Sequence, residues 1–208
     1  MKNLSKVVIV DYQMGNVLSV GRALHRIQIN HSLTADHNEI LQADKIILVG
    51  VGHFQNGMKN LKSLDLIETL NEFALIKKKP VLGICLGMQL MSKISEEGHC
   101  KGLGWLDCEV KKFKVQDTIK FKVPHAGWNQ IKQVSNCELM NNIPNFSEFY
   151  FVHSYYMSPA DQNIVTNTTD YSGSFVSAVQ QDNLYGVQYH PEKSHEVGLQ
   201  LLKNFCNL

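Results

Sequence analysis

Residues 81–87, with the sequence VLGICLG, constrain the fold of this chain more than any other segment. The run from Val81 to Ile84 is short and apolar, as in a buried strand, and a helical pattern follows Cys85. Glycine stands two residues before and two residues after the cysteine, where a larger side chain would clash in a tight strand-to-helix turn. The pattern therefore predicts a nucleophile elbow that holds Cys85 in a strained backbone conformation at the end of a strand.

Apolar runs and amphipathic segments alternate through the first half of the chain. Buried strands are predicted at residues 7–10, 45–49 and 81–84. Helices are predicted at residues 16–29, with Asn16 as the capping residue, and at residues 61–76 and 86–94. Strands that alternate with helices in this way form an open, mostly parallel sheet that is flanked by helices.

The second half of the chain has shorter runs, which alternate in part and are separated by turn residues. Strands are predicted at residues 105–113, 119–123, 128–134, 149–152, 164–166, 175–179 and 184–188, and a closing helix at residues 196–205. We therefore expect antiparallel strands to be added to the α/β sheet in this half. The sequence contains no repeat, low-complexity segment or linker, so we expect residues 1–208 to form a single domain.

The composition argues against several functional classes. The formal net charge is +1 and the basic clusters are short, so nucleic acid is not expected as a partner. The five cysteines are odd in number and include no C-x-x-C pair, so neither a zinc site, a disulfide framework nor another cofactor is expected. Reduced thiols are typical of the cytoplasm. The apolar run at residues 1–10 is too short for a signal peptide or a membrane span, so we expect a cytoplasmic protein without membrane contact.

A cysteine nucleophile requires a base that accepts its proton and later protonates the leaving group. His190 follows a predicted strand, and active sites of open α/β sheets lie at the carboxyl ends of strands. Glu192 can hold the second imidazole nitrogen, so Cys85, His190 and Glu192 are the predicted triad. The backbone N–H of Leu86 is predicted to stabilise an oxyanion. His153, which also follows an apolar run, is the competing base, or else a wall residue of the pocket.

The stretch GICLGMQ at residues 83–89, combined with HPEKS at residues 190–194, resembles the class I (triad) glutamine amidotransferases. More narrowly, the chain is similar to the glutaminase subunits of imidazole glycerol phosphate synthases. Four further stretches support the narrower resemblance, at residues 11–16, 50–52, 124–130 and 150–156. The motifs occur in the family's order and span essentially the whole chain.

This resemblance implies roles for further residues. Val51 would supply a second oxyanion donor beside that of Leu86. The residues expected to bind the substrate glutamine are Gly50, Gly52, Gln89, Glu97, Ser154 and Tyr155. The residues expected to face a partner are Asn16, Trp128, Asn129, Tyr150 and Lys193. In the family that partner is a (β/α)8-barrel cyclase, which forms a heterodimer and receives ammonia. Its products are imidazole glycerol phosphate and the purine precursor AICAR, in histidine biosynthesis.

Four positions depart from the usual family pattern. Gln13, Val49, His53 and Ala126 stand where the family usually has glycine, proline, alanine and methionine, respectively. None of them belongs to the predicted triad, but they leave the acceptor of the ammonia open. Related subunits supply ammonia for the amidation of surface sugars, which is the principal alternative. Alternatives of other classes are a free-standing thiol hydrolase on the same fold and a non-catalytic binding module.

Overall fold

The computed structural model of the protein describes residues 6–208. Residues 1–5, which belong to the N-terminal apolar run considered above, lie outside the described residues. The helices are α1 (Val17–Arg26), α2 (His37–Gln42), α3 (Phe54–Ser63), α4 (Leu66–Asn71), α5 (Leu86–Leu90) and α6 (His195–Cys206). The first strands are β1 (Val7–Val10), β2 (His31–Thr34), β3 (Lys45–Gly50), β4 (Val81–Cys85), β5 (Ile94–Ser95), β6 (Cys100–Lys101) and β7 (Cys108–Lys112). The remaining strands are β8 (His125–Gln130), β9 (Lys132–Gln133), β10 (Glu148–His153), β11 (Tyr155–Pro159), β12 (Val165–Asp170), β13 (Ser174–Gln181) and β14 (Leu184–Val187).

One large open sheet organises the fold. Its order is β2-β1-β3-β4-β14-β13-β11-β7-β5-β6, with β12 and β9 paired beyond β13. The strands from β2 to β14 are parallel, whereas β13, β11 and β7 pair in antiparallel fashion. Strands β8 and β10 form a separate antiparallel pair. The predicted fold class, a mostly parallel open α/β sheet with added antiparallel strands, is confirmed.

The two faces of the sheet carry separate hydrophobic clusters. The side chains of β1 alternate between the two faces, as expected for a strand. One cluster includes Val7, Ile9, Val20, Leu24 and Leu202, which join β1 to α1 and α6. The other includes Val8, Val10, Ile40, Phe54 and Leu61, which join β1 to α2 and α3. Full burial of one such aliphatic or aromatic side chain stabilises a fold by about 1.5–3 kcal/mol. The parallel strands are therefore packed on both faces, and this packing also fixes the carboxyl ends of β3 and β4.

Several predicted boundaries are wrong. Asn16 does precede α1, but its φ is 63° and its side chain makes no capping hydrogen bond. The helix predicted at residues 61–76 is instead α3 and α4, separated at Asp65, whose φ is 53°, and a π-helical turn at Glu72–Ile76. Helix α5 ends at Leu90 rather than near Ile94, which starts β5.

The predicted strand at residues 119–123 is also wrong. The Asp117 carboxylate accepts hydrogen bonds from the amides of Ile119 and Lys120, so this segment is a turn. Strand β2 and helix α2 were not predicted, because both are short and have few buried apolar residues. Within residues 6–208, every helix is too short or too polar to serve as a membrane span.

Candidate active site

Cys85 occupies the predicted elbow between β4 and α5. Its φ is 53° and its ψ −108°, a conformation that L-residues rarely adopt. A Cβ atom at Gly87 would lie 1.6 Å from the carbonyl oxygen of Leu48, and one at Gly83 would lie 2.7 Å from the backbone of Met88. Glycine is therefore required at both flanking positions by close backbone approach. The turn places the thiol at the carboxyl end of the parallel strands.

His190 and Glu192 form a buried pair beside the elbow. His190 Nδ1 lies 2.8 Å from Glu192 Oε1, and neither side chain is exposed to solvent. The amide of Asn16 donates a hydrogen bond to the same carboxylate oxygen and lies 3.4 Å from His190 Nδ1. The Ser194 hydroxyl donates to the His190 carbonyl over 2.6 Å, which fixes the turn that follows. The His190 imidazole is thus held at Nδ1, and its Nε2 atom remains able to interact with another group.

The environment of His190 favours its protonated form. Burial alone would lower its pKa, but the negative charge of Cys85, hydrogen bonding with Cys85 and the Glu192 carboxylate together raise that pKa to about 10. Among the described residues, Nε2 has no hydrogen-bond partner of standard geometry. Catalytic hydrogen bonds are commonly long in unliganded sites and shorten when substrate binds. The arrangement is therefore suited to a thiolate–imidazolium pair.

The two predicted oxyanion donors differ in their present state. Leu86 is the first residue of α5, so its N–H has no hydrogen-bond partner within the helix. The N–H of Val51 instead donates a 2.9 Å hydrogen bond to the carbonyl of Met14. In this conformation the Val51 donor is turned away from the site, and only the Leu86 donor is available to an oxyanion.

A cavity of about 260 Å³ opens beside the cysteine, and we call it the Cys85 pocket. Of the predicted residues, it is lined by Val51, Gly52, Leu86, Gln89, Glu97, Ser154 and Tyr155. Gly50 lies opposite Cys85 in the β3–β4 pairing and is not part of the lining. Glu97 accepts a 2.7 Å hydrogen bond from the amide of Phe54 through Oε2. Its other carboxylate oxygen can receive a cationic group.

His153 lines the Cys85 pocket but is not placed as the base. Its Nδ1 lies 2.7 Å from the carbonyl oxygen of Tyr155, and its Nε2 lies 3.1 Å from Nδ1 of His125. Both ring nitrogens are thus occupied by groups other than the thiol. Burial lowers the pKa of His153 to about 3 and that of His125 to about 4, so both rings are neutral. Of the two candidate bases, His190 is therefore the one whose geometry fits.

Comparison with known proteins agrees with this geometry. The family model of glutamine amidotransferase class-I matches residues 8–208. The chain belongs to the class-I glutamine amidotransferase family. Within residues 6–208 of this family member, no group of three or more His, Cys, Asp or Glu side chains is placed to hold a metal ion.

The relatives narrow the family further. The chain is 48% identical over 199 residues to imidazole glycerol phosphate synthase subunit HisH 2 of Methanococcus maripaludis, covering 96% of this chain and 98% of the relative. It is 43% identical over 207 residues to subunit HisH of Pelagibacter ubique, covering 97% and 99%. It is 44% identical over 202 residues to subunit HisH 2 of Pseudomonas aeruginosa, covering 97% and 99%. Within the amidotransferases, the chain therefore belongs to the HisH subunits.

Two solved structures share the fold at low sequence identity. A glutamine amidotransferase crystal structure superposes with a TM-score of 0.72 at 14% identity, covering 97% of this chain and 99% of that chain. The PurLQS structure of Thermotoga maritima superposes with a TM-score of 0.70 at 18% identity, covering 98% of each chain. These similarities support the amidotransferase fold.

The residues that the amidotransferase resemblance assigns to a partner surface lie in three settings. Trp128 and Tyr150 pair across β8 and β10, and Trp128 is 46% exposed. The Trp128 ring stacks on His195, with the centroids 4.8 Å apart, and Lys193 Nζ lies 5.4 Å from the Tyr150 ring centroid. We call these four residues the Trp128 patch. Asn129 points the other way and donates to the carbonyl of Asp170 over 3.1 Å. Asn16 is hydrogen-bonded to Glu192 and lies near His190, and binding of a partner does not require these contacts.

Sequence reasoning missed one residue that contacts the nucleophile of this amidotransferase. Gln188 Nε2 lies 3.6 Å from Cys85 Sγ, and the Gln188 side chain is fully buried. The available signal was a polar residue inside the apolar run LYGVQY, at residues 184–189. His53, one of the departures from the family pattern, accepts a 3.2 Å hydrogen bond from the Gln55 amide and caps α3.

Proposed function

We propose that this chain is the glutaminase subunit of an imidazole glycerol phosphate synthase. Its single domain hydrolyses glutamine to glutamate and ammonia, and it passes the ammonia to a (β/α)8-barrel cyclase partner in the cytoplasm. The observation that carries the proposal is the buried His190–Glu192 pair beside a cysteine held on a nucleophile elbow. The relatives that match almost the whole chain are named as subunits of that synthase, which supports the choice of pathway.

The proposed reaction is acyl transfer through Cys85. The thiolate attacks the side-chain amide carbon of glutamine, and the Leu86 N–H stabilises the oxyanion. The His190 imidazolium gives its proton to the departing nitrogen, so that ammonia leaves and a γ-glutamyl thioester remains. His190, now neutral, takes a proton from water, which attacks the thioester carbon. Glutamate and the Cys85 thiolate are released, and His190 is again protonated.

The predicted substrate-binding residues would contact different groups of the bound glutamine. Glu97 has one carboxylate oxygen that is not used by Phe54, and it would hold the α-ammonium group of glutamine. The Ser154–Tyr155 backbone would hold the α-carboxylate. The Val51 amide is engaged with Met14, so a full oxyanion site requires rotation of that peptide. Binding of the partner would cause that rotation, so that ammonia release would be coupled to the cyclase reaction that uses it.

The Trp128 patch supports the partner assignment. Aromatic side chains are enriched at protein interfaces, and Trp128 is an exposed one. The cation of this patch, Lys193, directly follows Glu192 in the chain, so a protein docked there would lie against the segment that carries His190 and Glu192. Several relatives are numbered 1 or 2 in their names, so their organisms contain more than one such subunit. Transfer of the ammonia to a surface sugar is therefore kept as the alternative, and the assay of the complex tests it.

The deciding experiment isolates the complex that this chain forms in its own cells and identifies the barrel protein. The complex is assayed with glutamine or with ammonium as nitrogen source. The variant Cys85→Ala should abolish product formation from glutamine and leave that from ammonium intact. Cys100→Ser, a half-buried cysteine outside the site, is the matched control and should leave both intact.

Each contrary outcome has its own meaning. Loss of both reactions in Cys85→Ala would refute the division of labour between the two subunits. Full turnover of the chain without any partner would favour a free-standing hydrolase. Full retention of glutamine-dependent synthesis in Cys85→Ala would favour a non-catalytic module. A partner whose product is an amidated sugar would replace the histidine assignment.

A further inference from the structure

Gln188 is a fully buried amide that lies between strand β14 and His190. A buried amide is costly unless its oxygen and its N–H groups are hydrogen-bonded. Here the oxygen Oε1 accepts a 2.9 Å hydrogen bond from Gln89 Nε2. Its nitrogen Nε2 lies 3.6 Å from Cys85 Sγ, within hydrogen-bond distance for sulfur. The backbone N–H of Gln188 donates to the carbonyl of Ser177 over 2.9 Å, which fixes the chain at this point.

The orientation of this amide is determined by its neighbours. Gln89 Nε2 lies 3.0 Å from the carbonyl oxygen of Tyr155, which can only accept a hydrogen bond. Gln89 must therefore present its NH₂ group on that side, and its second N–H is left for the Gln188 oxygen. If the Gln188 amide were flipped, two NH₂ groups would face each other. The Gln188 oxygen consequently faces Gln89, and its NH₂ group faces the sulfur.

The Tyr155 carbonyl is itself fixed by a second donor. His153 Nδ1 lies 2.7 Å from this oxygen, and His153 accepts at Nε2 from His125 Nδ1 over 3.1 Å. With both rings neutral, every N–H in this series has its own acceptor, and the two N–H groups of Gln89 Nε2 are shared between Tyr155 and Gln188. A continuous set of hydrogen bonds therefore runs from His125 to the nucleophile and ends on its sulfur.

We propose that Gln188 is a further catalytic residue, whose side-chain N–H donates a hydrogen bond to the Cys85 thiolate. Hydrogen bonds to charged groups are stronger than those between neutral groups. This one stabilises the thiolate before attack and again when the thioester is hydrolysed and the sulfur regains its charge. Gln89 acts through it as a positioning residue. Since both N–H groups of Gln89 are engaged within the protein, only its oxygen can contact the amide of a bound glutamine.

The test measures the thiolate directly in the full-length chain, through the rate of alkylation by iodoacetamide as pH is varied. The chain suits this method because burial limits the background reaction of the other four cysteines. Burial raises the pKa of the other four thiols: that of Cys100, and those of Cys108, Cys137 and Cys206 to about 12, 11 and 12. A Cys85→Ser chain gives the background rate.

Two substitutions of Gln188 test whether its side-chain N–H donates to the sulfur of Cys85. Gln188→Leu removes the donor without adding charge, and Gln188→Glu keeps an acceptor for Gln89 but faces the sulfur with an anion. We expect the alkylation midpoint to rise by about one to two pH units in Gln188→Leu. The midpoint should rise further in Gln188→Glu. Gln180→Leu, a substitution on β13 away from the site, is the control and should leave the midpoint unchanged.

A measurement on the unaltered chain covers the case in which a variant does not fold. The side-chain ¹H–¹⁵N resonance of Gln188 should titrate with the same midpoint as Cys85 alkylation, and this titration should vanish in Cys85→Ser. A Gln188 resonance that does not respond, or a Gln188→Leu midpoint equal to that of the unaltered chain, would overturn the proposal.

The rate prediction rests on the proposed function, whereas the thiolate readouts do not. In the complex with its partner, Gln188→Leu should lower the glutaminase kcat about 10- to 100-fold and change KM for glutamine little. A shifted alkylation midpoint in a chain without glutaminase activity would refute the proposed function alone. An unshifted midpoint in an active glutaminase would refute only the role of Gln188.

Discussion

The backbone N–H of Val51 donates a 2.9 Å hydrogen bond to the carbonyl oxygen of Met14. Val51 directly follows the last residue of β3, so the peptide at the strand end is held by the loop that follows β1. As long as this hydrogen bond persists, the site has one oxyanion donor instead of two. The structure therefore pairs His190 with Glu192 beside Cys85, but leaves one of the two predicted oxyanion donors, the Val51 N–H, engaged with Met14.

Glutaminase turnover of the chain alone is predicted to be low and to rise when the partner and its ligand are bound. Loss of one oxyanion donor typically lowers kcat by about 100- to 1000-fold, which sets the expected range of activation. Glutamate release measured with and without the partner checks this. Equal turnover in both states would contradict gating by the Val51 peptide.

The raised pKa of His190 is predicted to depend on Cys85. In the intact site, burial lowers the pKa, but the charge and hydrogen bonding of Cys85 and the contact with Glu192 raise it to about 10. Cys85→Ser removes the anionic charge and should lower the pKa of His190, and Glu192→Gln should also lower it. NMR titration of the His190 ring reports this directly. A midpoint that is the same in Cys85→Ser as in the unaltered chain would exclude a thiolate–imidazolium pair.

Acid is predicted to destabilise the fold through His125 and His153. Burial lowers their pKa to about 4 and about 3, so the unfolded chain binds more protons than the folded chain below the ordinary histidine pKa of 6.5. The free energy of unfolding should therefore decrease as pH falls from 6.5 to 5, by at most about 1.4 kcal/mol per pH unit for each histidine. Urea unfolding at both pH values measures this.

The matched variants for that prediction are His153→Gln and His25→Gln. The first removes a buried histidine and should flatten the dependence of stability on pH, although it also loses packing. The second removes an exposed histidine on α1 and should leave the dependence unchanged. An unaltered slope in His153→Gln would show that this ring is not held neutral by burial.

Gly87→Ala is predicted to destabilise the fold strongly. Its new methyl group would sit 1.6 Å from the Leu48 carbonyl oxygen, so β3 and α5 would have to separate. Overpacking of this kind costs about 1–3 kcal/mol, and more where backbone must move. The control is Gly104→Ala, at a glycine of positive φ where a methyl group meets no atom within 4 Å, so only local strain of about 1–2 kcal/mol is expected. Similar unfolding midpoints for the two variants would contradict the close approach at the elbow.

The elbow and the contact between His190 and Glu192 could be predicted because their signals are local. Glycines at fixed offsets from Cys85, and a histidine and glutamate two residues apart, carry their geometry in the sequence itself. Parallel strands such as β1 and β4 were equally clear, because a strand buried on both faces is a continuous apolar run. These features fixed the fold class and the nucleophile without reference to distant residues.

The remaining features depend on contacts between distant segments. Gln188 reaches the sulfur because β14 pairs with β4 in one register, which the sequence does not reveal. Strand β2 lies at the edge of the sheet and is only half-buried, so it lacks a hydrophobic pattern. The turn at residues 118–120 was mistaken for a strand because the side-chain hydrogen bonds of Asp117 outweigh the β propensity of the residues that follow.

Strands β8 and β10 pair only with each other, so they form a narrow ribbon beside the large sheet. Trp128 lies on its outward side, and the next residue, Asn129, points inward to a contact with His125 at 3.3 Å. Successive side chains of a strand point to opposite faces and share one backbone, so a contact on one face can act on the other. Any shift of the backbone at Trp128 would therefore reach Asn129, whose side chain contacts the pair of His125 and His153 beside the Cys85 pocket.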